Sequence, residues 1–328
     1  MRFKAWLVIG LAVPVFGTAQ QRVTDETGTG RVSFVLMPYT GARNVPERSP
    51  IPAYLIQGGI EDALTRSGVS LAPTTEIRLT GAEEREYGEW HRMGLANAHL
   101  GRLVAQNLAR GDLSIGLLAN CTSLLGMLGG LQQGAAAGLR RVGLVFIDAH
   151  GDFNTPETTL SGMLGGMPVA VAAGLGLTNL RRESGLIEPI PAEHIIIAAA
   201  RDLDPLEREL LNRSNVRMLS TDDIRQRSEQ LHAEIQRLSE LTDVIYVHVD
   251  MDVLDPREVP GHPLTVPDGP TSTELAAALI EVFRYPKAVA FGVASTPANE
   301  RDPDGVSRRA AYNLIGAVVR GWAFGAQE

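Results

Sequence analysis

Two short stretches carry side chains of the kind that hold metal ions. VGLVFIDAHGDFNTP (142–156) runs from six mostly apolar residues into Asp148, His150 and Asp152, and DVIYVHVDMDVLDP (243–256) ends a β-branched and aromatic run in Asp250 and Asp252. In a strand, side chains at alternate positions share a face, so each set is expected to converge rather than scatter. Carboxylates this close repel unless a cation lies between them, and oxygen donors with one imidazole suit a borderline divalent ion such as Mn2+. Either stretch alone could be a solvated loop. Two strands ending the same way point instead to one crevice at the carboxyl ends of a parallel sheet. Five ligands exceed what one small ion takes from protein, which favours two ions sharing bridging carboxylates.

Such a centre lowers the pKa of a bridging water, so that hydroxide forms near neutral pH and can attack a trigonal carbon. Asp152 is placed to take the proton and pass it to a leaving nitrogen. His262, in VPGHPLTVP just past the second stretch, is a second proton-transfer candidate, or else a histidine fixed between prolines for structural reasons. His248, inside the strand, reads as packing.

The elements that position these residues alternate along the chain. RVSFVLMPYTG (31–41) reads as a strand, IPAYLIQGGIEDALTRSG (51–68) as one helix closed by Gly68, and 89–112 as a long helix. LSIGLLANC (113–121) is a strand, followed by a Gly- and Ala-rich helix from Ser123 to about Leu139. Gly162 to Gly174 reads as a tightly packed helix, HIIIAAARDLDP (194–205) as a buried strand, and PLERELLNRS as a helix with acids in its first turn, where the macrodipole favours them. This alternation predicts a three-layer α/β/α fold around a mainly parallel sheet.

The chain has 328 residues and no repeat or low-complexity linker, so residues 31–328 are expected to form one domain. A formal charge of −8, with no basic stripe, argues against nucleic acid as a partner. The first nineteen residues carry Arg2 and Lys4, an apolar stretch to Phe16 and small residues before Gln20. They read as a secretory signal peptide, with 20–30 as an extension and a periplasmic or secreted destination; the alternative is a buried strand in a cytoplasmic protein. No segment is apolar for long enough to span a bilayer. The single cysteine, Cys121, rules out an intrachain disulfide and leaves the compartment open.

DAHGDFNTP together with DMDVLDP resembles the two carboxylate motifs of the arginase and agmatinase (ureohydrolase) family, and the likeness runs from about Val32 to Gly325. It implies a dimanganese hydrolase of guanidines, in which Asp148 and Asp250 bridge both ions, Asp152 completes one, and His150 and Asp252 complete the other. NTPETTLSG (154–162) is similar to the arginase loop that holds a substrate carboxylate, implying roles for Asn154 and Ser161 with Thr159 nearby. RDLDPLE (201–207) is similar to the segment receiving the α-amino group, implying Asp204 and Glu207. Amide and hydroxyl donors suit a carboxylate, and carboxylates suit an ammonium.

Three positions depart from the family pattern. LANCTS (118–123) puts Cys121 where the family supplies a histidine to the first metal, SGMLGG puts Gly165 where arginases carry a proton-shuttling histidine, and FGVASTPANE puts Ser295 where a glutamate grips the guanidinium, with Glu300 the nearest acid. Cys121 is then either a thiolate ligand or a small core residue. As a ligand it would hold Mn2+ weakly and favour Zn2+ or Fe2+. The expected substrate is arginine, an N-hydroxylated arginine or a related guanidino amino acid. An agmatinase-like enzyme or a metal-binding protein without turnover remain the alternatives, and a trimer is implied by likeness alone.

Overall fold

In the computed structural model, which describes residues 30–41, 48–133 and 138–324, eight strands form a single sheet. They are β1 (Val32–Met37), β2 (Thr75–Glu76), β3 (Leu113–Leu118), β4 (Val142–Ile147), β5 (Ile195–Ala198), β6 (Arg217–Leu219), β7 (Val244–Asp250) and β8 (Ala288–Ala294). The order is β2-β1-β3-β8-β7-β4-β5-β6, and every pairing is parallel. The segment read as a signal peptide and nearly all of the 20–30 extension lie outside the described residues.

Both faces of the sheet are covered, so its central strands are buried along their whole length and mostly apolar rather than alternating with polar residues. Alternate residues enter two separate cores. Val145, Ile147, Ile245, Val247 and Val249 point to one, while Leu144, Phe146, Val244 and Tyr246 point to the other. The first core is closed by α1 (Ile51–Gln57), α2 (Ile60–Arg66), α8 (Thr221–Gln226), α9 (Glu229–Leu241), α10 (Ser272–Phe283) and α11 (Val306–Phe324). The second is closed by α3 (Glu89–Ala109), α4 (Leu124–Gln132), α5 (Pro168–Ala172), α6 (Thr178–Glu183) and α7 (Pro205–Arg213). The expected three layers are present. Among the described residues no helix is long and apolar enough to cross a membrane.

Three expected helices come out differently. The 51–68 helix is two, because Gly59 takes a φ of 91° at the break, a left-handed conformation open to glycine. The helix after Ser123 stops at Gln132, and residues 134–137 lie outside the described set. Of 162–174, only Pro168–Ala172 is α-helical; a single 3-10 turn at Leu164–Gly166 precedes it.

Helices α3 and α4 approach backbone to backbone. A methyl group at Gly126 would lie 2.6 Å from the Asn97 carbonyl oxygen, and one at Gly130 would strike the Gly101 carbonyl. This fixes α4, and with it the turn at its start that carries Cys121.

Candidate metal centre

Four neighbouring strands each deliver one side chain at their carboxyl ends: Cys121 follows β3, Ser295 follows β8, Asp250 ends β7 and Asp148 follows β4. Registers Leu118↔Ala294, Asp250↔Ala294 and Ile147↔Val249 bring these ends level. The convergence expected from strand alternation has another cause, because β4 stops at Ile147 and its three ligand-type residues lie in the following loop. In both loops an aspartate folds the chain back onto itself. Asp148 Oδ1 accepts from His150 N at 2.7 Å, and Asp250 Oδ1 accepts from Asp252 N at 3.1 Å. Short polar side chains commonly close turns in this way. Asp152 is left-handed at φ 46°, and its carbonyl accepts from Val169 N and Ala170 N. Ser295, at φ 59°, is a second such residue beside the cavity, where strain is often stored for function.

Three groups of ligand atoms lie within 4.8 Å of one another: Cys121–Asp148–Asp250, Asp148–His150–Asp252 and Asp250–Asp252–His262. Asp152 lines the same cavity but joins none of these groups. His150 Nδ1 is 3.3 Å from Asp148 Oδ1 and 3.2 Å from Asp252 Oδ2. Cys121 Sγ is 2.7 Å from Asp250 Oδ2 and 4.0 Å from Asp148 Oδ2. Ser295 Oγ also donates to Asp250 Oδ2, at 2.7 Å.

All four acids are at least nine-tenths buried. Burial, and then the neighbouring carboxylates, push Asp148, Asp152 and Asp250 above the ordinary range; burial and Asp148 push Asp252 up to about 6. Burial lowers His150, but its hydrogen bonds to Asp148 and Asp252 win and push it up to about 12. Burial, followed by the charges of Asp250, Asp152 and Asp148, keeps the Cys121 thiol protonated. The crowding of buried carboxylates would be relieved by divalent ions, and this donor set fits such ions.

The cavity, about 810 Å³, is also lined by Asn154, Ser161, Asp204, Glu207, Ser295 and His262. Thr159 does not line it; its hydroxyl lies 3.4 Å from that of Ser161. Much of the expected substrate-holding apparatus is bonded within the protein. Asn154 Nδ2 donates to Asp204 Oδ2 at 3.1 Å, Thr158 Oγ1 donates to Asn154 Oδ1 at 2.9 Å, and Glu207 accepts from Phe153 N and Asp204 N. At Gly165, in place of a shuttle histidine, a methyl group would sit 3.1 Å from Asn120 Nδ2.

His262 Nε2 is 3.8 Å from Asp250 Oδ1, and its Nδ1 accepts from Leu264 N at 3.2 Å. The loop bearing it is buckled down by Arg201, whose guanidinium donates to the carbonyls of Ala199, Val253, Val266 and Pro267. Sequence reading passed over Arg201 and took His248 for packing. His248 is indeed packed, stacked on Phe146, but it also bonds: Nε2 is 3.3 Å from Cys121 Sγ, and Nδ1 is 2.7 Å from Tyr246 OH. The signal was the alternation of Tyr246, His248 and Asp250 along one strand. Burial lowers His248 to about 3, so the ring is neutral.

Residues 66–319 match the sequence model of the Arginase family. The chain is 29% identical to an arginase from Brevibacillus brevis over 216 residues, 64% of this chain and 71% of that one. It is 35% identical over 134 residues to an N(omega)-hydroxy-L-arginine amidinohydrolase from Streptomyces lavendulae, 41% of this chain and 44% of that one. The crystal structure of an arginase from Bacillus subtilis superposes with a TM-score of 0.75 at 23% identity, covering 88% of this chain and 98% of that one.

Proposed function

We propose, on the premise that this chain belongs to the arginase family, that it is a metal-dependent hydrolase cleaving a C–N bond of arginine, of an N-hydroxylated arginine or of a related guanidino amino acid. The observation that carries the reading is the convergence of Asp148, His150, Asp250, Asp252 and Cys121 into ligand groups that share members. One cation would be held by Cys121, Asp148, Asp152 and Asp250, the other by Asp148, His150, Asp250 and Asp252. Two divalent ions, Mn2+ in this proposal, would supply a polarised and acidified water.

The chain's own groups handle the proton and the substrate. Asp152 receives a proton on its carboxylate and returns it to the leaving nitrogen. His262 acts as a donor: with Nδ1 accepting from Leu264 N, the ring hydrogen sits on Nε2, the atom facing the site. Ser161 and Asn154, with Thr159 behind, receive the substrate carboxylate, while Asp204 and Glu207 receive its ammonium. Ser295 spends its hydrogen on Asp250, so the guanidinium is not gripped there by a carboxylate. That favours a substituted guanidine over arginine itself.

Urea or substituted-urea release by the Mn2+-loaded protein across arginine, N-hydroxyarginine, agmatine and short guanidino acids tests the proposal. Turnover of an amino-acid substrate is expected, with agmatine poorer by tenfold or more, since each lost charge-assisted contact costs roughly 1.5–3 kcal/mol. Agmatine turned over as well as the amino acids would remove the assignment of Asn154, Ser161, Asp204 and Glu207. Two bound ions without turnover of any member would make the chain a metal-binding protein of arginase fold.

A further inference from the structure

Tyr246, His248 and Asp250 occupy alternate positions of β7 and so share a face. The hydrogens along this row fit in one order only. Tyr246 is fully buried, and among the described residues its hydroxyl has no hydrogen-bond partner other than His248 Nδ1. A buried phenol needs an acceptor, so Nδ1 accepts and the ring hydrogen sits on Nε2. Nε2 faces Cys121 Sγ at 3.3 Å, and the sulfur therefore receives a hydrogen bond from His248. In the reverse order, with the thiol donating to Nε2 and Nδ1 donating to the phenol, the phenolic hydrogen would be buried with nothing to bond.

The ring is held in this pose from two sides. Phe146 stacks on it with centroids 5.2 Å apart and planes 16° from parallel, and Tyr246 meets it edge-on at 5.7 Å and 72°. Gly292, its register partner on β8, makes room for the phenol, since a methyl there would collide with the Tyr246 hydroxyl.

A cysteine beside a histidine invites the reading of a nucleophile and its base. The proton order excludes His248 as that base, because Nε2 presents a hydrogen where a base needs a lone pair. We infer that Tyr246 and His248 are positioning residues that hold the Cys121 sulfur as a hydrogen-bond acceptor, so that it serves as a thiolate ligand to a divalent cation and not as a nucleophile activated by His248. This rests on the metal-centre reading given above. Partners behind a ligand fix its orientation, and their loss commonly costs 10–100-fold in metal affinity.

Cobalt titration of the full chain tests it, since Cys121 is the only cysteine and any thiolate-to-Co2+ absorption band in the near ultraviolet reports on it alone. The wild type is expected to develop the band. His248→Leu should weaken the Co2+ affinity read from it by about 10–100-fold, while His248→Gln, whose amide N–H reaches toward the same place, should restore most of the loss. Tyr246→Phe, which releases the ring hydrogen from Nε2, should fall between them. Independently of any variant, nitrogen-15 NMR of the metal-free wild type should find His248 protonated on Nε2 and bare on Nδ1. The inference is overturned by the opposite tautomer, or by wild-type affinity and band in folded His248→Leu. Co2+ bound without a thiolate band overturns it while the metal centre stands; no Co2+ bound at all removes both.

Discussion

Cys121 is the residue on which this centre departs most from the pattern it resembles. As a core thiol it would need no partners, yet its sulfur touches Asp250 and His248 and sits near Asp148. Metal analysis after mild chelation should find at most one ion in Cys121→Ala, with most activity gone, and two Mn2+ in Cys121→His. Two tightly held ions in the alanine variant would return Cys121 to the core. A second prediction concerns pH. Asp252 titrates near 6 when folded and at the ordinary carboxylate value, 3.8, when unfolded, so between those values the native state binds more protons than the unfolded chain. Stability then falls as pH rises through that window, and above 6 the loss is complete. Divalent ions would offset the burial and crowding of the ionised carboxylates, and Mn2+ should therefore raise the melting temperature more at pH 8 than at pH 5. An equal rise at both values, followed by thermal melts, would show that the acids are not where the ions bind.

Helix α4 governs where the sulfur can be, because Cys121 lies in the turn that opens it and α3 presses against it through Gly101, Gly126 and Gly130. Gly130→Ala should cost about 1–3 kcal/mol through overpacking, seen as a lower denaturation midpoint, and should loosen cation binding at the Cys121 group more than at the His150 group. A midpoint unchanged from wild type would mean that the helices part without strain. The same elements divide what could be read in the sequence from what could not. The apolar runs of β1, β3, β4, β5 and β7 are legible because both sheet faces are buried. β2 and β6 are too short to carry a pattern, and β8 is rich in alanine and glycine. The break at Gly58-Gly59 left its mark in the residues, but both flanking segments keep helical spacing. The acids of the site were legible by type and count; the Asp148 and Asp250 turns that make them converge were not, since such a turn depends on backbone angles. The hydrogen bonds of His248 were not legible because a histidine in a buried strand has the same spacing whether it only packs or also bonds.

At the scale of the molecule, the all-parallel order places the ends of β3, β8, β7 and β4 side by side, so the centre needs no second domain. Family likeness proposes a homotrimer, and light scattering on the purified full chain should return three times the monomer mass; a monomer at micromolar concentration would withdraw it. How copies could meet is constrained by the outermost strands. β6 is three residues long, and its Arg217 is tied down by Glu234 at 3.0 Å. β2 is two residues long, and the chain around it saturates β1: Val32 N donates to Ser70 O, Ala72 N to Val32 O and Ile77 N to Leu36 O. Little backbone ladder is left exposed for a neighbouring chain to extend. Among the described residues, then, the sheet offers a second copy or a misfolded neighbour little backbone to grow from, which favours association through helices and loops.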